Sequence, residues 1–362
     1  MGILKNLDQT SFAGCDFVVK LPAERKGTTL RVLQLTDMQI IDASQRRTPD
    51  RLRPDEIEAW MPENFDSQCG NHIRSLVMQS KPDLILLTGD IVYGSFDDSG
   101  RAFLYICELM DSFKIPWAPV FGNHDNESAV GVAWQCSRFE NSSYCLFARG
   151  TVSGNGNYTV GIAVGDELVR VIYMLDSNGC GAATDPAVIK ERTINPDQLA
   201  MVENRTALIT QTQNRVIPAF MAFHIPVDAF REAEQAKGYR HGQENHYVLG
   251  IDRQPVDDDF GFCLEEYYPI VMGSDFIDYL KAQNVDGVFV GHVHNSCISI
   301  SYRDIRWTMG LKTGQYDYHI PYQLGGTLIT LDGASFTVNH IHSLVPCAPM
   351  PANAPMFKSI LI

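Results

Sequence analysis

The sequence of 362 residues lacks any hydrophobic run long enough to cross a membrane, and it has no excess of basic residues. A membrane-spanning helix needs about 20 consecutive apolar residues, so we expect no membrane segment. Lys and Arg number 29 against 43 Asp and Glu, which gives a formal net charge of -14. Nucleic acids and anionic membranes attract basic surfaces, so this balance argues against binding to either. It does not exclude an anionic substrate, because bound metal ions reverse the local field.

Paired cysteine motifs and a visible leader are also absent. The nine cysteines are an odd number, and no Cys-x-x-Cys pair occurs. This pattern is typical of reduced, mostly buried thiols rather than of a disulfide framework. The first residues contain no apolar signal-peptide core. We therefore expect a cytoplasmic protein, although a secreted chain trimmed of its leader would look the same.

The first third of the chain alternates between apolar strands and amphipathic helices. Strands are predicted at Leu30–Thr36, Leu84–Thr88 and Trp117–Phe121. Helical spacing of apolar residues connects them over Phe65–Gln79 and Arg101–Phe113. This order predicts a βαβαβ unit with a parallel sheet and right-handed crossovers.

The remainder of the chain is richer in strands and contains one long polar segment. Further strands are predicted at Tyr144–Phe147, Tyr158–Val164, Leu168–Leu175, Ile217–Phe223, Gly287–Gly291, Cys297–Tyr302, Ile305–Met309, Gly326–Leu331 and Phe336–His342, and helices at Pro196–Thr210 and Ser274–Gln283. Residues 225–268 are polar and irregular, which is more often functional than structural, and we interpret them as a lid-like insertion. With a Pro-rich tail at 346–355, the chain is predicted to form a single domain over residues 1–362.

Six side chains of metal-ligand type follow predicted strands directly. They are Asp37, Asp90, Asn123, His224, His292 and His294. Each has an ordinary alternative explanation: an Asp caps a turn, an Asn adopts a left-handed backbone, and a buried His forms hydrogen bonds. Their joint recurrence favours a site, because the carboxyl ends of parallel strands meet at one edge of a sheet. Carboxylates, imidazoles, one amide and the phenol of Tyr93 together suit Fe, Mn or Zn.

The segment Gly122-Asn123-His124-Asp125 predicts both a ligand and a catalytic group. Asn123 offers a carbonyl oxygen to a metal ion. His124 is expected to face the substrate, while Asp125 holds its ring and raises its basicity.

The order of Asp37-Met-Gln39, Gly89-Asp90, Gly122-Asn123-His124-Asp125, His224 and Gly291-His292-Val-His294 resembles that of the calcineurin-like metallophosphoesterase superfamily. Tyr93, three residues after Asp90, is similar to the purple acid phosphatase branch, in which that tyrosine binds ferric iron. The resemblance implies an α/β fold, namely a β-sandwich of two mixed sheets flanked by helices and built on the βαβαβ core.

The same resemblance implies two metal ions, Fe with Fe, Mn or Zn. The residues implied for the first ion are Asp37, Asp90, Tyr93 and His294, and those for the second are Asn123, His224 and His292, with Asp90 bridging both. The chain departs from the pattern at Gln39, where the superfamily usually has His and purple acid phosphatases often have Gly. Its amide oxygen could be a weak ligand or could bond a neighbouring group. We favour the neighbouring group, because Tyr93 already supplies the first site.

The function implied is hydrolysis of a phosphoric ester, most specifically a phosphomonoester, by a hydroxide held between two metal ions. His124, steadied by Asp125, would stabilise the transition state or protonate the leaving group. The substrate would be a phosphorylated small molecule or a phosphoprotein. Two alternatives stay open: a phosphodiesterase acting on nucleotides or lipid head groups, and a catalytically silent scaffold. Substrate choice is expected from residues 225–268, where His241, His246 and Tyr268 are best interpreted as ordinary loop residues.

Overall fold

The computed structural model describes residues 1–5, 7, 10–45, 52–179, 192–238, 248–249, 258–262 and 264–349. Its strands are β1 (Gly2–Lys5), β2 (Phe17–Leu21), β3 (Leu30–Leu35), β4 (Leu84–Thr88), β5 (Trp117–Val120), β6 (Tyr158–Val164), β7 (Glu167–Met174), β8 (Ala219–Ala222), β9 (Val248–Leu249), β10 (Gly261–Phe262), β11 (Val285–Val290), β12 (Ser299–Tyr302), β13 (Ile305–Met309), β14 (Gly325–Asp332) and β15 (Ser335–His342). Its helices are α1 (Pro54–Ala59), α2 (Asn71–Ser80), α3 (Arg101–Ser112), α4 (Val132–Asn141), α5 (Pro196–Gln213), α6 (Asp228–Ala236) and α7 (Asp275–Ala282).

Two mixed sheets form the centre of the molecule. The first has five strands in the order β15-β14-β3-β4-β5, with β3, β4 and β5 parallel and β14 antiparallel to β3. The second has eight strands in the order β1-β2-β6-β7-β8-β11-β13-β12, in which β7, β8, β11 and β13 run parallel. The predicted fold class, two mixed sheets flanked by helices on a βαβαβ core, is confirmed.

The two sheets pack face to face through large apolar side chains. Phe220 of β8 meets Phe336 of β15 with ring centroids 4.8 Å apart. One buried cluster joins residues of both sheets, such as Leu33 and Phe289, to α2 and α3. A second cluster covers the other face of the eight-stranded sheet with α5, α6 and α7. Leu84–Thr88 is buried throughout. Strands covered on both faces have nearly continuous apolar sequences, which explains the apolar run at these residues.

The start of α5 shows how local sequence sets an element boundary. Asn195 precedes the helix, and its backbone N–H donates to Oε1 of Gln198 at 2.7 Å. Pro196 occupies the first helical position, where its missing N–H leaves no bond unmade. The helix ends where Asn214 takes a left-handed backbone with φ of 48°. Asn195 and Pro196 are the signals that predicted the start of this helix, and its end at Gln213 lies beyond the predicted Thr210.

Some predicted elements differ in the structure. The strand predicted at Tyr144–Phe147 is wrong: this segment forms only an isolated bridge between Trp117 and Cys145. It runs beside the edge of β5, where the N–H of Leu146 donates to the oxygen of Trp117 at 2.7 Å. The hydrophobic pattern of the sequence does not distinguish the two cases, because a buried segment beside a sheet edge is as apolar as a strand. The strands β1 and β2 and the helix α4 were not predicted.

The polar segment 225–268 is more regular than its sequence indicates. It contains α6 and the short pair β9 and β10, and Tyr268 is exposed. His241 and His246 lie outside the described residues, as does the tail beyond residue 349. Among the described helices, none is both long and apolar enough to cross a bilayer. The single-domain organisation stays a prediction.

Candidate metal centre

Oxygen donors and nitrogen donors reach the centre from different sheets. Asp37, Asp90 and Asn123 follow β3, β4 and β5 of the five-stranded sheet. His224 follows β8 of the eight-stranded sheet, and His292 and His294 follow β11. The structure therefore brings all six of these residues to one edge of the sandwich, as the strand-end pattern predicts.

The first group of potential ligands is Asp37, Asp90 and His294, whose ligand atoms lie within 4.8 Å of one another. Oδ2 of Asp37 accepts from the hydroxyl of Thr36 at 2.7 Å and from the N–H of His292 at 2.9 Å. Its Oδ1 is buried, has no hydrogen-bond partner among the described residues and lies 3.5 Å from Nε2 of His294. A buried carboxylate oxygen without a donor is costly, and a cation would remove that cost.

His294 is held in an orientation suited to metal binding. Its Nδ1 lies 3.1 Å from the backbone oxygen of Tyr318 and can donate to it, which leaves the lone pair on Nε2. The imidazole also packs on the Tyr318 ring, with centroids 4.2 Å apart. The Tyr318 hydroxyl in turn donates to Glu265, which also accepts the N–H of Asn295 at 3.0 Å.

The second group is Asp90, His224 and His292. Nδ1 of His224 lies 2.8 Å from the backbone oxygen of Thr88, so Nε2 keeps its lone pair when Nδ1 donates. That Nε2 faces Oδ2 of Asp90 at 3.3 Å and Oδ1 of Asn123 at 3.1 Å. Asn123 therefore lies where its amide oxygen can complete this group. Asp90 belongs to both groups, which is the arrangement expected for a bridging ligand.

Three of the potential ligands have a strained backbone. Asp37, Asp90 and His292 all take left-handed conformations, with φ of 51°, 49° and 73°. Such values are uncommon outside glycine, cost of order 1–3 kcal/mol each and cluster at functional sites. The surrounding hydrogen bonds must hold these residues in place.

Two glycines of the motifs allow the close approach of these strand ends. A Cβ on Gly122 would lie 2.1 Å from Oδ1 of Asp90 and 2.2 Å from its backbone nitrogen. A Cβ on Gly291 would lie 2.0 Å from Oγ1 of Thr36 and 2.6 Å from Oδ2 of Asp37. Any larger residue at either position would displace a carboxylate of the site.

Charge in the centre keeps the carboxylates ionised. Burial opposes ionisation of Asp37, but the nearby imidazoles of His294 and His224 outweigh burial and lower its pKa to about 2. Burial likewise opposes ionisation of Asp90, yet the charges of His224 and His124 hold its pKa well below the usual range. Burial and the neighbouring charge of His224 lower the pKa of His292 well below its ordinary value. The neutral imidazole is the form that binds metals, so this direction of the shift suits His292 as a ligand.

His124 is oriented by Glu127 and not by Asp125. Its Nδ1 lies 3.1 Å from Oε2 of Glu127. Burial opposes protonation of this ring, but the charge of Asp90 and the bond to Glu127 raise its pKa to about 9. The oxygens of Asp125 instead accept the N–H groups of Val92 at 3.0 Å and Gly122 at 2.7 Å. The prediction that Asp125 holds the His124 ring is therefore wrong, because that carboxylate is used to fix the backbone.

Tyr93 packs its ring on that of His124, with centroids 4.3 Å apart and planes 28° from parallel. Its assignment as a ligand of the first metal stays a prediction. The backbone N–H of His124 donates to Oδ1 of Asp90 at 2.8 Å, so the phenol, the imidazole and the shared carboxylate form one contiguous unit.

Gln39 bonds its neighbours through both ends of its amide. Its Nε2 donates to Oδ2 of Asp90 at 3.2 Å, and its Oε1 accepts from Nζ of Lys312 at 2.8 Å. This arrangement agrees with the role we favoured for Gln39, in which it supports a ligand. Lys312 was missed in the sequence, as were Glu127 and Glu265. Glu127 lies three residues after His124, a spacing that could have been noticed, whereas Lys312 carries no local signal.

The donor set fits two cations. It combines a buried carboxylate oxygen without a donor, a carboxylate common to both groups and histidines whose Nδ1 atoms face backbone oxygens. Asp37, Asp90 and His294 would hold one cation, and Asp90, Asn123, His224 and His292 the other.

Comparison with known proteins gives relatives of moderate to low identity. Phosphatase DCR2 of Saccharomyces cerevisiae is 26% identical over 251 residues, which cover 66% of this chain and 40% of the yeast protein. Probable inactive purple acid phosphatase 28 of Arabidopsis thaliana is 27% identical over 240 residues, covering 58% of this chain and 56% of that protein. The chain thus spans only about half the length of these curated relatives.

Solved structures with a similar arrangement include two phosphatases. A dimetal phosphatase from Danio rerio aligns with a TM-score of 0.49 at 10% identity, covering 88% of this chain and 99% of that one. The purple acid phosphatase PPD1 from yellow lupin (Lupinus luteus) aligns with a TM-score of 0.47 at 15% identity, covering 88% and 52%.

A family model decides the relationship. The model described as calcineurin-like phosphoesterase matches residues 30–296, which is most of the chain. The matched range begins with β3 and contains every predicted metal ligand, from Asp37 to His294. The chain therefore belongs to the calcineurin-like phosphoesterase family.

Proposed function

We propose that this protein is a metal-dependent phosphoric ester hydrolase, and most specifically a phosphomonoesterase. The observation that carries the proposal is that Asp90 belongs to two groups of potential ligands at once. Family membership supports the hydrolysis of phosphoesters in general. Two bound cations would supply an activated water and would offset negative charge on the phosphoryl oxygens. We propose Fe with Fe, Mn or Zn as the pair.

The side chains around the centre would then provide the proton that the leaving oxygen needs. Nδ1 of His124 faces the Glu127 carboxylate at 3.1 Å, and Nε2 would therefore be the ring atom that donates a proton to the leaving oxygen. Stacking on Tyr93 restricts rotation of the imidazole. Because the His124 side chain is only 16% exposed, bulk water competes little for that proton. No serine or cysteine nucleophile is required by this chemistry.

Substitution of ligands tests the proposal. Asp90→Asn and His292→Ala are expected to lower metal-dependent turnover of an aryl phosphate by at least about 100-fold, because each removes a ligand charge or lone pair. Asp304→Asn changes a carboxylate whose side chain is 89% exposed and serves as the control. The proposal is wrong if the two ligand variants keep the turnover of the unmodified protein.

The ester class needs a separate comparison. Rates on p-nitrophenyl phosphate and bis(p-nitrophenyl) phosphate distinguish a monoesterase from a diesterase. A higher kcat/KM on the diester would favour the phosphodiesterase alternative. The scaffold alternative has its own support, because two further Arabidopsis relatives besides the one above carry names that include "probable inactive". A purified protein with an empty or single-metal centre and no turnover would favour the scaffold.

Tyr93 gives the proposal a spectroscopic test. If Tyr93 binds ferric iron, the protein has a visible absorption band from charge transfer between tyrosinate and iron. Tyr93→Phe is expected to abolish that band while iron content, measured by elemental analysis, stays above zero. A band that survives this substitution would remove Tyr93 from the ligand set.

A further inference from the structure

Arg192 is a buried cation that no step of the proposed reaction uses. It is 5% exposed. Its position is set by the next residue, Thr193, whose N–H donates to the backbone oxygen of Ser177 at 3.1 Å. The backbone oxygen of Thr193 accepts from Nδ2 of Asn178 at 2.8 Å. Arg192 is therefore held against the loop that follows β7.

That loop lies at the edge of the eight-stranded sheet where the histidines are found. β7, β8 and β11 are neighbouring parallel strands, so their carboxyl ends are side by side. Ser177 follows β7, His224 follows β8 and His292 follows β11. Oγ of Ser177 accepts at 3.0 Å the N–H of Ile225, the residue directly after His224. Two hydrogen bonds thus connect the segment of Arg192 to that of a potential metal ligand.

The course of the Arg192 side chain is restricted by a glycine. Gly179 has a φ of 85°, and a Cβ there would lie 2.6 Å from Cγ of Arg192 and 3.6 Å from its Nε. The turn at Gly179 therefore leaves room for the stem of the arginine and packs against it. The carboxylate of Asp176 accepts the backbone N–H groups of Asn155 at 2.7 Å and Asn178 at 2.9 Å. This acid therefore fixes the backbone of the loop.

Electrostatics agrees with this placement. Burial, the charge of His224 and then the charge of Arg192 lower the pKa of His292. The guanidinium therefore acts on the group of Asp90, His224 and His292. Like charges repel, so Arg192 would not attract the cations of this group. It is suited instead to an anion that those cations also attract, and its planar fork matches the oxygens of a phosphoryl group.

We propose that Arg192 binds the phosphoryl group of the substrate and makes the protein prefer phosphomonoesters to phosphodiesters. The inference rests on the proposed function and deepens it by assigning the choice of ester class to one residue. A monoester presents three non-bridging oxygens with up to two negative charges, whereas a diester presents two such oxygens with one charge. Coulomb attraction scales with the product of the charges, so the guanidinium attracts the dianion about twice as strongly.

A purely structural role for Arg192 predicts a different result. If the side chain only filled the space beside Gly179, its loss would weaken the loop after β7 and lower the melting temperature. Hydrolysis of both ester classes would then fall in the same proportion. The ratio of the two rates therefore separates substrate binding from structural support.

The experiment compares two variants of Arg192 with a control. Arg192→Gln removes the charge, and Arg192→Lys keeps the charge but loses the planar fork. Arg303→Gln, at an arginine whose side chain is 37% exposed and pairs with Asp278, is the matched control. Each metal-loaded protein is assayed on p-nitrophenyl phosphate and on bis(p-nitrophenyl) phosphate. Inorganic phosphate is titrated calorimetrically into the same proteins, and their metal content is measured by elemental analysis.

In Arg192→Gln, kcat/KM on the monoester divided by kcat/KM on the diester is expected to fall at least about tenfold. The dissociation constant of inorganic phosphate is expected to rise at least about tenfold, while metal content stays constant. Arg192→Lys should recover part of both losses, and Arg303→Gln should show neither loss. An unchanged ratio or an unchanged phosphate affinity in Arg192→Gln overturns the inference.

Failure of the proposed function would give a different result. An unmodified protein that hydrolyses neither ester overturns that function, whereas weaker phosphate binding in Arg192→Gln would still support the contact made by Arg192. An unmodified protein that binds no phosphate overturns both. If Arg192→Gln does not fold, as judged by its melting curve, Arg192→Lys decides the question. Weaker phosphate binding at an unchanged melting temperature then supports the inference, and unchanged phosphate binding overturns it.

Discussion

Nδ1 of His124 and Oε2 of Glu127 lie 3.1 Å apart, one helical turn from each other along the chain. Both side chains are largely buried, at 16% and 15% exposed, so their interaction is only weakly screened. Glu127 is therefore a carboxylate that, together with Asp90, raises the basicity of the proposed proton donor. Asp125 has a different role, because its carboxylate accepts hydrogen bonds from two backbone N–H groups.

Glu127→Gln is therefore expected to shift the pH profile of hydrolysis. The charge of Glu127 helps to raise the pKa of His124 to about 9, and a general acid loses activity as the pH rises through its pKa. Removing the charge lowers that pKa, so the alkaline limb of kcat should move to lower pH. Asp125→Asn is the matched comparison and should mainly lower the free energy of unfolding, by about 1–3 kcal/mol, because an amide cannot accept at both oxygens. An unmoved alkaline limb in Glu127→Gln would contradict this assignment.

Gly291→Ala is expected to destabilise the fold. The new methyl group would lie 2.0 Å from Oγ1 of Thr36, far inside contact distance, so the strand end must shift. Overpacking of this kind costs about 1–3 kcal/mol, measured as a lower midpoint in urea at constant slope. Gly2→Ala is the control, because a Cβ there meets no atom within 4 Å. If both variants unfolded at the same urea concentration, the close approach would be of no consequence.

His340 should make the stability depend on pH. Burial lowers its pKa to about 4, and its two ring nitrogens bond to Thr327 at 3.0 Å and to the backbone oxygen of Cys297 at 2.9 Å. In the unfolded chain its pKa is about 6.5, so between these values the unfolded state binds more protons. Stability is thus full above pH of about 6.5 and declines as the pH falls toward 4. His340→Gln is expected to flatten this decline by about 1–3 kcal/mol in urea titrations at both pH limits. An equally steep decline in the variant would assign the dependence to other groups.

Asp286→Asn is expected to expose the cost of a buried guanidinium. Arg170 is 1% exposed, packs over the Phe220 ring at 4.1 Å and lies 2.6 Å from Oδ1 of Asp286. Losing the carboxylate leaves that charge without its counter-ion, and we expect a loss of about 1–3 kcal/mol in the free energy of unfolding because Asp286 is itself partly exposed. The same change in an Arg170→Met background should be milder, which a double-mutant cycle measures. Asp166→Asn, in the exposed pair with Lys20, should leave stability unchanged.

The parts of the fold that local pattern controls could be predicted from the sequence. The run Leu84–Thr88 is buried on both faces, so its continuous apolar character matched the strand directly. The strand-end positions of Asp37, Asp90 and Asn123 followed in turn. The strand predicted at Tyr144–Phe147 failed because burial beside a sheet edge and membership of the sheet look the same in one dimension.

The residues that support the potential metal ligands could not be predicted from the local sequence pattern. Gln39 and Lys312 are 273 positions apart in the chain, yet their side chains form a hydrogen bond. Glu265 contacts Tyr318 across 53 positions. Such pairs leave no periodic trace, since their contact is created by the packing of the two sheets. Asp125 and Glu127 show the same limit at short range, because adjacency in sequence favoured Asp125 and side-chain direction favours Glu127.

The division of donors between the two sheets has a consequence for how the protein is made. Carboxylate and amide oxygens belong to the five-stranded sheet and imidazole nitrogens to the eight-stranded sheet, so each group of ligands has members from both. A nascent chain that has formed only one layer therefore presents an incomplete coordination sphere. Metal uptake would then come late in folding, after both sheets have formed. Loss of metal would first weaken the contact between the two sheets.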